Sequence, residues 1–220
     1  MTEYFILKYL HIIAFVYWLG GDLGTFIASG QMVNPNNSKE ARHVAMKIMM
    51  ACDQGPRLGM PIILALGVQI AQSMGLMNLP VWGVVLMWLA TLWWVGNVAI
   101  LHFKEGKPIT KTLTAIDFYF RILVIVVVVS VAAYGLTGNG LITANWVSYK
   151  LLIFAAMVGC GLMVRVGLKP FIPAFIQMMQ TGATPQTDAA IAGSIAKVRP
   201  WVWTIWVGLF VNAALGVHLI

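Results

Sequence analysis

Residues 123–136 read LVIVVVVSVAAYGL, a run without a charged side chain. In a soluble protein a valine-rich run of this kind would predict a buried strand. Here it lies within a longer apolar stretch, residues 117–137, and a helix needs about 20 mostly apolar residues to cross a bilayer. Because a spanning segment must satisfy its backbone hydrogen bonds internally, this stretch predicts a transmembrane helix.

Five further stretches meet the same length requirement. They cover about 4–29, 58–76, 80–102, 146–168 and 200–220. Of all residues, 60% are hydrophobic and 10% are charged, whereas a soluble domain has about 25% charged residues. The composition therefore excludes a soluble domain, a disordered tail and a nucleic-acid-binding module. We predict an all-α integral membrane protein with six transmembrane helices, whose surrounding partner is the lipid bilayer.

The basic residues predict the orientation of these spans. Eleven of the 14 Lys and Arg residues lie in, or at the edge of, the connections 30–57, 103–116 and 166–199. The two short connections, 76–80 and 137–145, contain none. The positive-inside rule places the basic connections in the cytoplasm. Both termini are then outside (N-out/C-out), in a membrane of the bacterial cytoplasmic, or inner, type.

The two longest connections also have helical patterns. Residues 38–52 begin with Ser38, a candidate N-cap, and their apolar residues recur at helical spacing. Residues 184–198 follow a turn signal at Gly182 and Pro185. We predict that both segments are amphipathic surface helices in the cytoplasmic loops.

The first span carries a polar stripe. Lys8, His11, Phe15, Trp18 and Asp22 follow one another at spacings of 3, 4, 3 and 4, so they share one helix face. Ionisable groups inside a membrane are costly and usually face the bundle interior. Since a neutral imidazole is a common haem or metal ligand, His11 is a candidate ligand. The alternative is a hydrogen-bonded interior histidine.

The other candidate ligand residues differ in their depth along the spans. His218 lies near the outer end of the sixth span and Lys150 one turn inside the fifth, both near the level of His11. A bis-histidine haem on His11 and His218 is one arrangement. The alternatives are a snorkelling histidine or lysine at the membrane surface. His43 and His102 lie on the cytoplasmic side, as a second pair of ligands or as interfacial polar residues.

Two ion pairs are expected inside the bundle. Asp22 and Arg165 lie at matching depth at the inner edge, with Arg57 as the second basic candidate for Asp22. Asp117 and Arg121 are four residues apart, a spacing that allows an ion pair on one helix face. We interpret both pairs as structural.

A methionine-rich segment raises a copper hypothesis. His43, Met46, Met49, Met50 and Cys52 lie close together in the first long connection, and thioether or thiolate ligands select Cu(I). Methionine is also a common filler of apolar faces. The segment has neither a repeated MxxM nor a CxxC pattern, so copper ranks below haem as the expected cofactor.

Two of these stretches resemble a known family. Residues 8–21, KYLHIIAFVYWLGG, resemble the first helix of the HemJ-type protoporphyrinogen oxidases, K-x-L-H-I-I-x-x-x-x-W-x-x-G, and more loosely that of the wider CopD-like membrane proteins. Residues 146–159, WVSYKLLIFAAMVG, together with Arg165, resemble the third helix of the HemJ family. The segment 55–71 looks like its second helix, and residues 199–200 are faintly similar to the start of its fourth.

The resemblance implies an architecture and a cofactor. The whole chain, 1–220, would be one transmembrane bundle, with a four-helix unit of 1–76 and 143–220 and an inserted helical hairpin of 77–142. In HemJ-like proteins the first-helix histidine is associated with haem b, and this histidine and the third-helix lysine are essential. These positions match His11 and Lys150, which makes Lys150 the candidate catalytic residue.

The expected function is therefore that of a membrane b-type haem protein in redox chemistry or electron transfer. We expect the haem in the outer half of the bundle, with His11 as one axial ligand and His218 or Lys150 opposite. Phe15 and Trp18 would pack on the porphyrin, and Lys8 and Lys150 would lie near its propionates. A protoporphyrinogen oxidase-like enzyme is one form of this function.

Two other classes of function remain open. The chain is alternatively a transporter for copper or another small solute, or a non-catalytic anchor subunit of a larger membrane complex. A redox partner, the other subunits of such a complex and a second copy of the chain are the protein partners considered.

Overall fold

The computed structural model describes residues 2–104 and 106–219. Within these ranges the chain forms eight α-helices and one isolated β-bridge, between Met77 and Ile142. The helices are α1 (Thr2–Val33), α2 (Lys39–Cys52), α3 (Gln54–Ser73), α4 (Val81–Phe103), α5 (Pro108–Leu136), α6 (Asn145–Gly167), α7 (Phe171–Thr181) and α8 (Pro185–Gly216). The prediction of an all-α protein is confirmed.

Five segments are long and apolar enough to cross a membrane. They are α1, α4, α5, the segment Asn145–Thr181 that joins α6 and α7, and α8. The sixth predicted span corresponds to α3, which has 20 residues but includes Arg57 and three glutamines. Nine of these 20 residues are buried, so α3 has less surface to present to lipid than the other long helices.

The six long helices form a closed ring. Around the ring the order of contact is α1, α3, α4, α5, α6 and α8, and α8 then packs on α1. Buried apolar side chains fill the interior, among them Trp18, Trp94, Phe154 and Val158. Large apolar side chains cover much of the outer surface, as expected for helices that contact lipid.

A second apolar cluster lies beyond one end of the ring. Helices α1 and α8 have 32 residues each, about 48 Å of helix, which exceeds a hydrocarbon core of about 30 Å. Their adjoining ends pack with α2 and α7 around Met32, Met49, Phe175, Met178 and Ile191. We call these four packed helical segments the basal layer.

One buried arginine links the two halves of the basal layer. Arg42 on α2 is 1% exposed, and its Nε donates to the carbonyl oxygen of Met32 at 2.7 Å. Its Nη1 donates to Asp188 Oδ1 on α8 at 2.6 Å. The pair joins the first long connection to the last one.

The helices of the long connections differ in part from the prediction. Helix α2 matches the predicted segment 38–52, and the Ser38 side chain accepts a hydrogen bond from the Ala41 amide. The segment predicted over 184–198 is helical from Pro185, and it forms the first part of α8, which continues through Pro200 to Gly216. Proline removes one helix hydrogen bond. Burial on both sides of it, at Ile195 in the basal layer and Ile205 in the ring, keeps α8 continuous.

The hairpin of α4 and α5 occupies the place in the ring between α3 and α6. The two ends of the segment 77–142 lie side by side. The Asn78 amide donates to the Leu141 carbonyl at 2.8 Å, and the Thr143 amide to the Leu76 carbonyl at 3.0 Å. Adjacent ends are what an inserted hairpin requires, and the insertion itself stays a prediction.

Candidate functional site

His11 lies on the face of α1 that packs against α3. A methyl group at Gly67 would come within 3.1 Å of His11 Cε1, so the glycine allows the imidazole to lie directly against the α3 backbone. The backbone carbonyl of Ile63, one turn before Gly67 on α3, lies next to the His11 imidazole. Nδ1 is buried and has no hydrogen-bond partner. His11 is therefore a half-buried imidazole with one unsatisfied nitrogen.

From Lys8 to Trp18, the other residues of the stripe on α1 become more buried with depth along the helix. Lys8 is exposed and its ammonium lies 5.8 Å from the centre of the Tyr4 ring. Phe15 is half-buried and packs against the ring interior. Trp18 is 1% exposed and donates from Nε1 to Asp22 Oδ2 at 3.1 Å. Only the part of the stripe from His11 inward faces the interior of the ring.

Lys150 and His218 meet at the outer end of α6 and α8. Lys150 is half-buried, with Nζ 5.6 Å from the centre of the Trp146 ring and directly against Gly216. His218 follows α8, is exposed, and packs edge-on against Trp146 with ring centres 5.0 Å apart. Of the two proposed partners of His11, Lys150 is the one that reaches the interior.

A charge cluster fills the ring interior nearer to the basal layer. Asp117 is fully buried, and its Oδ2 accepts from Arg121 Nε and Arg165 Nη2, each at 2.8 Å. Asn97 donates to Oδ1 of the same carboxylate at 3.4 Å. The Arg121 guanidinium lies 5.0 Å from the centre of the Trp94 ring. The ion pair expected between Asp117 and Arg121 is present, and Arg165 joins it from α6.

The structure does not show the predicted salt bridge to Asp22 within 4.0 Å in the described part of the chain. Arg165 binds Asp117, and Arg57 pairs with Asp53 four residues earlier. The packing of α6 along α5 explains the difference, because it brings Arg165 to Asp117.

The methionines of α2 serve as packing residues. Met49 is buried in the basal layer, and Met46 packs against the same cluster. Their thioethers are therefore surrounded by apolar side chains. His43 is half-buried on α2, and His102 is exposed and packs on its neighbour Phe103. Among residues 2–104 and 106–219, no group of three His, Cys, Asp or Glu residues is arranged to hold a metal ion.

The fit to haem rests on His11. A histidine that ligates a metal usually directs its other ring nitrogen to a backbone carbonyl or a carboxylate. In His11, Nδ1 is buried without a protein partner, and the Ile63 carbonyl lies beside the imidazole without a hydrogen bond that assigns it to either nitrogen. These features fit an axial ligand, and Lys150 nearby carries the charge that a propionate would attract. The exposed His218 fits this role less well.

Comparisons with known proteins give no independent evidence on these site residues. No family model matches the chain, and no curated protein or solved structure is significantly similar to it. The resemblance to HemJ-type and CopD-like proteins therefore rests on the motifs within residues 8–21 and 146–165.

Proposed function

We propose that this chain is a bacterial-type inner-membrane b-type haem protein that takes part in redox chemistry or electron transfer. The observation that carries the proposal is the His11 imidazole, which lies within the ring beside Gly67 with Nδ1 buried and unpartnered. His43 Nδ1 is also unpartnered, but His43 lies on α2, outside the ring. When bound, haem supplies one-electron redox chemistry, and the protein sets its ligation, burial and polarity.

Each residue of the outer half has a separate role in this proposal. His11 holds the iron, and Phe15 and Trp18 exclude water from the interior side of the site. Lys150 would bind the iron as a second ligand, hold a propionate, or donate a proton to the substrate, and these three roles are alternatives. Lys8, which is exposed at the outer rim, contributes only long-range positive charge.

Absorbance of the purified protein tests the haem assignment. Wild-type protein expressed with sufficient haem should show a Soret band, and His11→Ala should remove it. His43→Ala and His102→Ala serve as matched controls and should keep the full band, because both histidines lie at the other end of the bundle. A colourless wild type, or His11→Ala protein with full haem content, would overturn the proposal.

The orientation forms part of the same proposal. We place all six long helices across the membrane, with the basal layer in the cytoplasm and both termini outside. The basic residues of the long connections support this orientation. The test uses a protein in which the two native cysteines are replaced. In intact cells, Asn139→Cys in this background should react with a membrane-impermeant maleimide. Lys47→Cys should react only after permeabilisation, and the reverse pattern would contradict the orientation.

A transport function is the second candidate, and one observation favours it. Asp22 lies inside the bundle with Trp18 as its hydrogen-bond donor and without a basic residue within 4.0 Å. An unpaired carboxylate at this depth is typical of proton or ion pathways. Proteoliposomes should then show proton flux that Asp22→Asn abolishes and the control Asp53→Asn retains. Wild-type flux equal to that of empty liposomes would exclude this candidate.

A further inference from the structure

One arginine differs from the other four in its partners. Arg42 binds Asp188, Arg57 binds Asp53, and Arg121 and Arg165 share Asp117. For Arg199, the described part of the chain provides no carboxylate within 4.0 Å. Its Nε is buried and has no hydrogen-bond partner. Arg199 is thus a guanidinium whose charge and donors are unsatisfied.

The side chain of Arg199 lies in a groove between α1 and α8. Its guanidinium carbon is 5.0 Å from the centre of the Phe26 ring, a cation–π arrangement that holds the group in place. Phe26 also packs on Trp203 and Trp206, with ring centres 6.5 and 5.2 Å away. Trp206 Nε1 is a second buried donor without a partner. We call this region, formed by Phe26, Gly30, Arg199, Trp203 and Trp206, the α1/α8 groove.

Gly30 keeps one side of the guanidinium open. A methyl group there would be 3.9 Å from Arg199 Nη2, an ordinary contact distance, so the backbone of Gly30 borders the donors without a side chain that covers them. A guanidinium presents its N–H groups in a planar fork that matches two oxygens of a phosphate or carboxylate. The groove therefore has the chemistry of an anion site, with aromatic walls and a glycine opening.

The position of Arg199 along α8 selects the anion. It lies 17 residues before Gly216, the last residue of α8, or about 26 Å at 1.5 Å per residue. One hydrocarbon core is about 30 Å thick, so Arg199 lies near the membrane boundary at the basal-layer end. Beside it, Trp203 and Ile27 are 52% and 59% exposed. They offer apolar surface to an acyl chain.

We propose that the α1/α8 groove binds an anionic phospholipid through its phosphodiester, with Arg199 as the phosphate ligand. Free phosphate shares this chemistry, but it would leave the apolar surface of Trp203 and Ile27 uncovered. Tryptophan and basic residues are typical of membrane interfaces, and anionic headgroups bind basic sites on the cytoplasmic side. The inference rests on the orientation proposed above, but it concerns a different part of the bundle from the haem site and does not depend on haem.

Native mass spectrometry of the full chain in detergent tests this inference. After delipidation, the protein is titrated with phosphatidylglycerol, phosphatidylcholine or inorganic phosphate. We expect the wild type to retain one phosphatidylglycerol in preference to phosphatidylcholine. Arg199→Gln should weaken this retention by roughly tenfold or more, the effect expected when hydrogen bonds from a charged group are lost. Lys169→Gln, which removes an exposed charge at the same end, should bind like the wild type.

A second variant keeps the test valid if Arg199→Gln does not fold. Gly30→Val retains the guanidinium and places a branched side chain beside it, and the Cβ itself is accommodated at 3.9 Å from Nη2. It should also lose phosphatidylglycerol. Wild-type retention by either folded variant would overturn the proposal. Inorganic phosphate that binds at Arg199 as tightly as phosphatidylglycerol would show that the site takes free phosphate, which would also overturn it.

Discussion

The outer and inner halves of the ring hold buried polar groups in different ways. In the inner half, two arginines and an asparagine satisfy the fully buried carboxylate of Asp117. In the outer half, His11 has a buried nitrogen without a partner, and the Lys150 ammonium lies over a tryptophan ring. A paired buried charge is explained by the fold alone. Unpartnered polar atoms also occur beside Asp117, at Asn97 Oδ1 and Arg165 Nη1, so it is the ability of an imidazole to bind a metal that directs the search for a ligand to His11.

The largest expected effect is on stability and concerns the inner half. Asp117→Asn leaves Arg121 and Arg165 buried without a counter-ion, and loss of one partner of a buried pair costs about 3–5 kcal/mol in the free energy of unfolding. Thermal unfolding in detergent should show a much lower Tm. The matched control is Asp53→Asn, whose pair with Arg57 is partly exposed and contributes about 1 kcal/mol or less. Equal Tm shifts for the two variants would show that the inner cluster is not structural.

The next effect is on cofactor content and concerns the outer half. Gly67→Leu drives a side chain into the His11 imidazole, since even a methyl group would lie 3.1 Å from Cε1. Overpacking of this kind costs about 1–3 kcal/mol, and displacement of the imidazole should lower the haem bound per protein several-fold. Gly159→Ala is the control, because its added methyl group would meet nothing within 4 Å. Full haem content in a folded Gly67→Leu protein would show that His11 is not part of the haem site.

The two halves also differ in how far the sequence predicts them. Apolar length predicts the long helices, and the spacing of four between Asp117 and Arg121 predicts their ion pair. The partner of Arg165 is not predictable in the same way. Sequence position gives the depth of a residue in the membrane, whereas a pair between helices depends on which helices are neighbours around the ring. Asp22 and Arg165 share a depth, but α6 packs along α5 and brings Arg165 to Asp117.

Local rules also failed where tertiary packing outweighs them. The helix predicted over 184–198 and the span predicted from residue 200 form one continuous helix, because buried residues lie on both sides of Pro200. The role of Arg42 depends on contacts with Met32 and Asp188, the second of which is remote in sequence. His11 and Gly67 likewise belong to different helices. Their contact is visible only once α1 and α3 are packed together.

The smallest expected effect distinguishes two lysines of the outer half. Lys8 is exposed over Tyr4, whereas Lys150 is half-buried beside Trp146 and Gly216. An exposed cation–π contact contributes about 0.5–1 kcal/mol, so Lys8→Ala should change stability by no more than that. It should also leave the position and height of the Soret band unchanged. Lys150→Ala removes the cation that lies near His11 and should shift the band or lower it. Because both variants delete one positive charge at the same end of the bundle, a difference between their spectra reports on the site rather than on net charge. Identical spectra for the two variants would remove Lys150 from the haem site and leave His218 as the candidate opposite His11.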